Sequence, residues 1–420
     1  MQLIVVDREH DIERDGSDRS VVSAQDFIDG ERTKDLPVGM RVINRCQDVS
    51  YLSLGYHVSL VAEARGQRAE PSVEALLDLD WEQPVVHVRS LHKGASSVPR
   101  IAVLHNPEER MPPSNAQALA TFIRVGKLLG VTFELITYDD AERLAEYDAL
   151  FMRETTDIDD HTYRLARKAE TLGMPVIDSS QSILRCANKI YLAERMRANG
   201  VPIPRTLAIT REHLRRVETE IGFPVVIKTP DGAFSRGVHK ADDRKQLEAI
   251  ASRLFEASDL ILAQEFVATA FDWRVGVVNG EPLFVCQYFM AEDHWQVVKY
   301  ASAGSNDYVE GNDRTLAVDD APPDVVALGV KAANLIGDGL YGVDIKQATN
   351  GLVVVEVNDN PNIDAGVEDV VLGDALYERI VRDFLRRIRK AAATAPQQGV
   401  DIKRKSANAD DCVASSDGQI

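Results

Sequence analysis

The sequence predicts a multidomain protein that is α/β in its first part and α+β in its second. Three observations carry this. At 420 residues the chain exceeds what one compact core ordinarily holds, so two or three domains are expected. Up to about residue 180, apolar runs alternate with helical patterns that close on glycine, the signature of small parallel sheets. From residue 181 the pattern changes to helices interspersed with strand pairs and Gly-containing turns, which points to antiparallel sheets.

In the first unit, residues 1–95, the short strand RVIN (41–44) is followed by the helical pattern YLSLGYHVSLVAEARG, closed by Gly66. This strand-to-helix crossover marks an N-terminal α/β module. The second unit, residues 96–180, reads strand, helix, strand, strand, helix, strand: IAVLHN, AQALATFIRVGKLLG, TFELIT, DALFMRE, HTYRLARKAETLG and PVIDS. Gly130 and Gly173 stop its helices, so a small parallel sheet is expected. The third unit, residues 181–390, is the α+β region. It ends in the helix DALYERIVRDFLRRIRK, for which Asp374 is the expected N-cap and basic residues in the last turn suit the helix dipole. Residues 391–420 lack apolar periodicity and read as a disordered tail.

Composition narrows the function. With 45% hydrophobic and 27% charged residues the chain reads as globular, and a net charge of −18 argues against a general nucleic-acid binder, which needs an exposed basic surface. Any phosphate site must therefore be built locally. Cys46, Cys186, Cys286 and Cys412 lie far apart with no CxxC pair, so neither a zinc site nor a disulfide framework is expected, and a reducing cytoplasm fits. The opening MQLIVVDREHDIERD turns acidic after a short apolar strand, and no later segment has the apolar length of a membrane span. Neither secretion nor membrane insertion is expected.

The segment YGVDIKQATNGLVVVEVNDNPN (341–362) carries the strongest chemistry. A two-residue Asn-Gly turn would pair Val343 with Asn358 and Ile345 with Glu356, mixing apolar and acidic groups. A three-residue loop, Thr349-Asn350-Gly351 with Gly351 left-handed, instead pairs Val343 with Val357, Ile345 with Val355, and Asp344 with Glu356. One face then suits a core, and the other gathers Asp344, Glu356 and Asn358. Two carboxylates so placed repel unless protonated or bridged by a cation, and an all-oxygen set suits magnesium. Taken alone, D…ExN reads as solvated polar positions on a half-exposed hairpin; the surrounding segments reverse that preference.

In FPVVIKTPDGAFSRGVHKA (223–241), a strand ends at Lys228 and a loop with Gly232 and Gly237 leads to a return strand. Such a loop turns backbone N–H groups toward phosphate oxygens, with Ser235, Arg236 and Gly237 as candidate contacts and Lys228 as a point charge. No GKS or GKT follows, so this is not a Walker A sequence. In SILRCANKIYLAERMRANG, Asn188 reads as an N-cap, which puts Lys189 at the unfavourable positive end of a helix dipole. An exposed lysine tolerating that penalty and a lysine awaiting an anion are equally good readings of Lys189 alone. In ILAQEFVATAFDWRVGVVNGEPLFVCQYF (261–289), the break after QEFV offers the backbone at Glu265, Phe266 and Val267 to adenine. Asp272 suits ribose hydroxyls, and Arg274 suits charge developing on a phosphoryl group or a substrate carboxylate. Without the other segments, Glu265, Asp272 and Arg274 read as a surface ion-pair network.

In this order and spacing the segments resemble the ATP-grasp superfamily. NKIYLAERMRANGVPIP, the lysine in VVIKTPDGAFSRGV, and QEFV, DWR, GVDIK and VEVNDNPN are similar to the RimK-like branch, which includes glutathione synthetase-like and protein-glutamylating ligases. The resemblance covers about residues 100–390, and VINRCQDVSYLSLGYHVSLVAEARG looks like the extra domain ahead of some RimK-like ligases. It implies an ATP-grasp fold of two α+β lobes behind a small parallel pre-ATP-grasp domain and an N-terminal α/β module. It also implies ATP and magnesium, with manganese as the alternative cation. Lys189 and Lys228 would contact phosphates, backbone at Glu265 and Val267 would hold adenine, and Asp344, Glu356 and Asn358 would hold the metal. Arg274 and Lys228 are the candidate catalytic cations.

The implied activity joins an amino-acid, peptide or protein carboxylate to an amine through an acyl phosphate, releasing ADP and phosphate. Neither nucleic acid nor membrane is an expected partner, and homo-oligomerisation stays open. RimK-type glutamate ligases carry basic residues in the strand after the hairpin, whereas this chain has VCQYFMAEDHWQ with Lys299 as the first later cation, so glutamate is not carried over as the amine. The alternatives are an ATP-grasp phosphotransferase and a non-catalytic nucleotide-binding regulatory module. A dehydrogenase is disfavoured because RVIN is not followed by GxGxxG.

Overall fold

The structure, a computed structural model, describes residues 2–8, 20–30, 33, 36–80, 98–232, 237–300 and 307–394. The expected tail beyond residue 394, Cys412, and the candidate phosphate contacts Ser235 and Arg236 lie outside the described residues. No helix among the described residues is long and apolar enough to cross a membrane.

Strands β1 (Gln2–Val6), β2 (Ser20–Ser23), β3 (Arg41–Asn44) and β4 (Arg68–Glu70) form a parallel sheet in the order β2-β1-β3-β4. Helices α1 (Ala24–Asp29), α2 (Leu54–Ala64) and α3 (Val73–Asp80) accompany it. The RVIN strand and the helix after it appear where expected, but α2 starts only at Leu54. Leu52 takes a positive φ of 64°, which interrupts any helix, and the Ser53 side chain then caps α2 by accepting from the Tyr56 N–H.

The second unit holds β5 (Arg100–Leu104), α4 (Ala116–Leu128), β6 (Thr132–Ile136), β7 (Ala149–Met152), α5 (His161–Thr171) and β8 (Val176–Ile177). All four strands are parallel in the order β6-β5-β7-β8, matching the element sequence read from the chain. Helices α6 (Ser180–Ala187) and α7 (Lys189–Ala198) lead into two antiparallel sheets. In the first, β9 (Thr206–Ile209), β10 (Val225–Lys228), β11 (Val238–Ala241) and β12 (Ile261–Glu265) run in the order β11-β10-β12-β9, with α8 (Arg216–Glu220) and α9 (Arg244–Leu254). The second contains β13 (Phe271–Val278), β14 (Glu281–Phe289), β17 (Asp313–Leu316), β18 (Leu340–Ala348) and β19 (Gly351–Asn358), ordered β17-β14-β13-β18-β19. A ribbon of β15 (Val298–Tyr300) and β16 (Tyr308–Glu310) precedes β17, and α10 (Pro323–Asn334) packs on this sheet. These are two α+β lobes, as the sequence implies.

The closing helix α11 (Asp374–Thr394) runs past residue 390 because Ala391, Ala392 and Ala393 are strong helix formers. Asp374 lies within its first turn rather than outside it as a cap, and its carboxylate accepts from Arg124 of α4. Tyr377 and Phe384 pack into one interior with Phe122 and Phe151, so α11 ties the last lobe to the second unit.

The 341–362 hairpin corrects the sequence reading in one respect. Val343 faces Val357 and Asp344 faces Glu356 as expected, but the loop is the two residues Thr349-Asn350, with Ala348 paired to Gly351. A bulge between Asp344 and Ile345 pairs Ile345 with Val354 instead of Val355. Val354 and Val357 are both buried, which leaves Val355 and Glu356 together on the other face. Strict alternation had assigned that register shift to the loop. Gly351 has φ 131°, positive as expected but well outside the left-handed helical basin.

Packing of α10 on the sheet supplies a stability test. A Cβ on Gly329 would sit 2.6 Å from Val275 Cβ, an atom fixed by the strand backbone. Gly329→Ala gains roughly 1 kcal/mol in helix propensity but overpacks a buried contact, at a cost of about 1–3 kcal/mol. The expected outcome is a lower urea midpoint, whereas a raised midpoint would refute this packing.

Candidate functional site

Between the two antiparallel lobes lies a cleft of about 350 Å³. The sequence places its first wall through strand ends: β10 stops at Lys228 and β12 at Glu265. Lys228 is buried, and burial pushes its ammonium down to about 8, partly offset by Glu356 and reinforced by Lys189 and Lys346. Lys189 is the first residue of α7, as expected, with the Asn188 side-chain oxygen accepting from Ile190 and Tyr191 N–H at 3.0 and 3.1 Å. Its own Nζ donates to the Gly232 carbonyl at 2.5 Å, and its backbone N–H donates to Pro230 O at 2.6 Å. These carbonyls offset the unfavourable end of the helix dipole and hold the start of the Gly-rich segment against α7.

Gly237 lies off the cleft lining and closes that segment. Its carbonyl accepts from Thr229 N–H at 3.2 Å, and at φ 74° a Cβ would strike Thr229 Oγ1. At the break after β12, Glu265, Phe266 and Val267 line the cleft. The Glu265 carboxylate pairs with Arg205 at 3.1 Å, so only its backbone is left for a ligand in the cleft. Phe266 meets the Trp295 ring edge-on at 5.8 Å and carries Lys240 Nζ 4.9 Å from its centroid.

The second wall is β13, β18 and β19. Arg274 stands opposite Asp344 in the β13–β18 register, and its Nε and Nη2 donate to the two carboxylate oxygens, each at 2.7 Å. Gly342 makes room, since a Cβ there would lie 3.3 Å from Arg274 Cδ and 2.7 Å from Pro361 Cβ. Asn358 Nδ2 donates to Gly342 O and Asp344 Oδ2, both at 3.2 Å, which leaves its amide oxygen for a cation. Asp272 accepts Lys346 at 2.6 Å and Thr269 at 2.9 Å, both on Oδ1.

Asp344, Glu356 and Asn358 therefore share one cleft, opposite Lys189 and Lys228. Among the described residues no three Asp, Glu, His or Cys side chains cluster as a metal-only site. Two carboxylates and an amide oxygen nevertheless fit magnesium, which takes few protein ligands and completes its shell with water and phosphate. Asp344 would then be shared between the cation and Arg274.

Sequence reasoning missed Lys346, Trp295 and Arg153. Lys346 was legible, since it lies two residues after Asp344 and hence on the same strand face. Trp295 sits in a turn with no periodic signal. Arg153 is fully buried, donating to Ser114 Oγ at 3.0 Å, Asn360 Oδ1 at 2.7 Å and Pro361 O at 2.9 Å, and so braces the chain just after β19.

Residues 187–375 match the RimK-like ATP-grasp domain, and residues 24–108 match the RimK-like ATPgrasp N-terminal domain. The chain is 27% identical over 249 residues to a probable alpha-L-glutamate ligase of Vibrio vulnificus (strain YJ016), covering 58% of this chain and 79% of that one. Its identity to a protein of the same description from Teredinibacter turnerae is 29% over 233 residues, covering 54% and 73%. D-alanine–D-alanine ligase from Bacillus anthracis superposes with a TM-score of 0.52 at 17% identity, over 70% of this chain and 99% of that one. A RimK domain ATP-grasp protein from Sphaerobacter thermophilus gives 0.51 at 19%, over 68% and 99%. These two likenesses establish the fold alone.

Burial of Lys228 sets a proton-linked test. Its ammonium is held down near 8 in the free protein, and an anion placed against it favours the charged form. Between pH 8 and 10 nucleotide binding is therefore expected to take up a proton, read by calorimetry in buffers of different ionisation enthalpy. Binding without uptake at pH 9 would place the phosphates away from Lys228.

Proposed function

We propose, starting from the fact that the chain belongs to the RimK-like ATP-grasp family, that its lobes clasp ATP with Lys189 and Lys228 on the phosphates and Asp344, Glu356 and Asn358 on magnesium. The chain is an ATP-dependent carboxylate–amine ligase. The supporting observation is the convergence of two buried lysines from one lobe with two carboxylates and an amide from the other on a single cleft. Bound magnesium and ATP would supply charge neutralisation and the phosphoryl group that activates a substrate carboxylate as an acyl phosphate, from which an amine would displace inorganic phosphate.

The chain's own residues position and neutralise. Backbone groups of Glu265 and Val267 take the adenine, with Phe266 between them packed on Trp295. Asp272, bound twice on Oδ1, offers Oδ2 to the ribose. Arg274 keeps Asp344 aimed through its two hydrogen bonds, and it faces the charge that builds on the transferred group. Two of the relatives are named probable alpha-L-glutamate ligase, but the charge of this cleft favours another amine. Glu310, Asp313, Asp364 and Glu368 line it, while the described cations lining it are Lys189, Lys228, Arg274 and Lys346. Lys346 and Arg274 are already paired with Asp272 and Asp344. An amine bearing two further carboxylates meets like charge there, so a neutral or cationic amine is the better fit.

An ADP-release screen over carboxylate and amine pairs tests this reading. ADP formation that requires both partners is expected; a phosphorylated product that persists without any amine would favour a phosphotransferase. Within the screen, neutral or cationic amines are expected to exceed glutamate in kcat/KM, and glutamate turning over fastest would refute the charge argument. Glu356→Gln keeps size and one oxygen ligand but removes a charge at the metal. Its kcat is expected to fall about a hundredfold or more, with a smaller loss of ATP affinity. Normal turnover at saturating magnesium would exclude Glu356 as a metal ligand.

A further inference from the structure

Besides the ion pair of Asp29 with Arg216 at 2.5 Å, the N-terminal module grips the nucleotide lobe at three places. Arg65, the C-cap of α2, pairs with Glu194 of α7 at 2.7 Å, both side chains being nearly buried. The Leu52 carbonyl accepts from Asp259 N–H at 3.3 Å, and Leu54 N–H donates to the Asp259 carboxylate at 2.9 Å. These contacts hold the helix that carries Lys189 and the approach to β12. The third is different in kind: Tyr51 Oη donates to Asp231 Oδ2 at 2.9 Å, reaching the Gly-rich segment itself.

Asp231 stands three residues after Lys228 and next to Gly232, whose carbonyl Lys189 holds. Gly232 and Lys228 line the cleft, and Asp231 does not. Thr229 Oγ1 fixes the Asp231 backbone by donating to its carbonyl at 2.6 Å, so the direction of the carboxylate is left to the side chain and its partner. A carboxylate free to swing toward a polyphosphate would repel it in a poorly solvated cleft. Tyr51 is itself held in place, its ring edge-on to the buried Tyr56 at 5.3 Å and its chain neighbour Leu52 docked on the lobe.

We propose that Tyr51 is a positioning residue of the nucleotide site: through its hydrogen bond to Asp231, the N-terminal module holds that carboxylate away from the phosphates of ATP and fixes the start of the Gly-rich segment. This rests on the ATP-site reading above and gives the module a part in nucleotide binding. The effect belongs to the phosphates, so it acts on MgATP and not on adenosine.

The test is calorimetric binding of MgATP and of adenosine to the full chain, needing no knowledge of the other substrates. Tyr51→Phe is expected to weaken MgATP about tenfold, the scale of one lost hydrogen bond with a charged partner, and to leave adenosine unchanged. Asp231→Asn alone is expected to bind MgATP at least as tightly as the native chain, because the charge is gone. The double variant Tyr51→Phe/Asp231→Asn is expected to recover affinity to within about twofold of native, a rescue that a purely structural role of Tyr51 would not give. Native affinity in Tyr51→Phe, an equal loss for adenosine, or a double variant as weak as the single one would each overturn the proposal. Should Tyr51→Phe fail to fold, tighter or equal MgATP binding by Asp231→Asn supports the proposal and weaker binding refutes it. A native chain that binds adenosine but not MgATP, or neither, overturns the ATP-site reading and the proposal together.

Discussion

The bidentate ion pair between Arg274 and Asp344 is the contact on which the β13–β18–β19 wall of the cleft depends. Both side chains are largely buried, and each would be costly alone: removing one partner of a buried pair typically costs about 3–5 kcal/mol because the other charge is stranded. The pair requires β13 and β18 in one register, and it requires glycine at position 342 so that the arginine can lie across the strand. Asn358 then hydrogen-bonds the same carboxylate from β19, so three adjacent strands converge on Asp344. A sheet that slipped by one residue would lose the core face and this constellation together.

Rigidity on that wall is matched by bracing from outside the lobes. Arg153 belongs to the parallel second unit, yet it binds the 360–361 segment that follows β19. Asn360 returns a bond to the Glu154 carbonyl at 2.6 Å. The aromatic interior shared by α4 and α11 closes the same junction on the other side. The opposite wall is braced by the N-terminal module through α2 and α7. Each wall of the cleft thus leans on a parallel α/β unit, which keeps the two sets of charged groups from being held by loops alone.

Much of this was legible because the chemistry sits on regular elements. Lys228 ends a strand whose residues are all buried, Asn188 caps the helix that starts at Lys189, and Asp344 and Glu356 face one another in a hairpin. Patterns of period 2 and 3.6 together with cap chemistry suffice to place such residues. What escaped was the mechanism of register. Val354 and Val357 both enter the core, and only a bulge allows that while keeping Asp344 opposite Glu356. The target pairing was readable from polarity, whereas the bulge depends on how the sheet packs against α10. Trp295 and Arg153 escaped for a different reason: each meets the site through tertiary contact from a segment whose local pattern says nothing about it.

The charge of the molecule and the charge of its cleft also act on different length scales. A net charge of −18 repels an anionic nucleotide at long range, but in physiological salt that field decays over about 8 Å. Inside the cleft, Lys189 and Lys228 are shielded from water and interact through a much lower effective dielectric, so two cations outweigh a distant acidic surface. The same burial is what pushes Lys228 down to about 8, and an anion placed against it favours the charged form. An acidic protein can in this way hold a polyphosphate without a basic surface. By the same reasoning, a ligand in the cleft meets the lining carboxyl groups of Glu310, Asp364 and Glu368 at far shorter range than the overall charge.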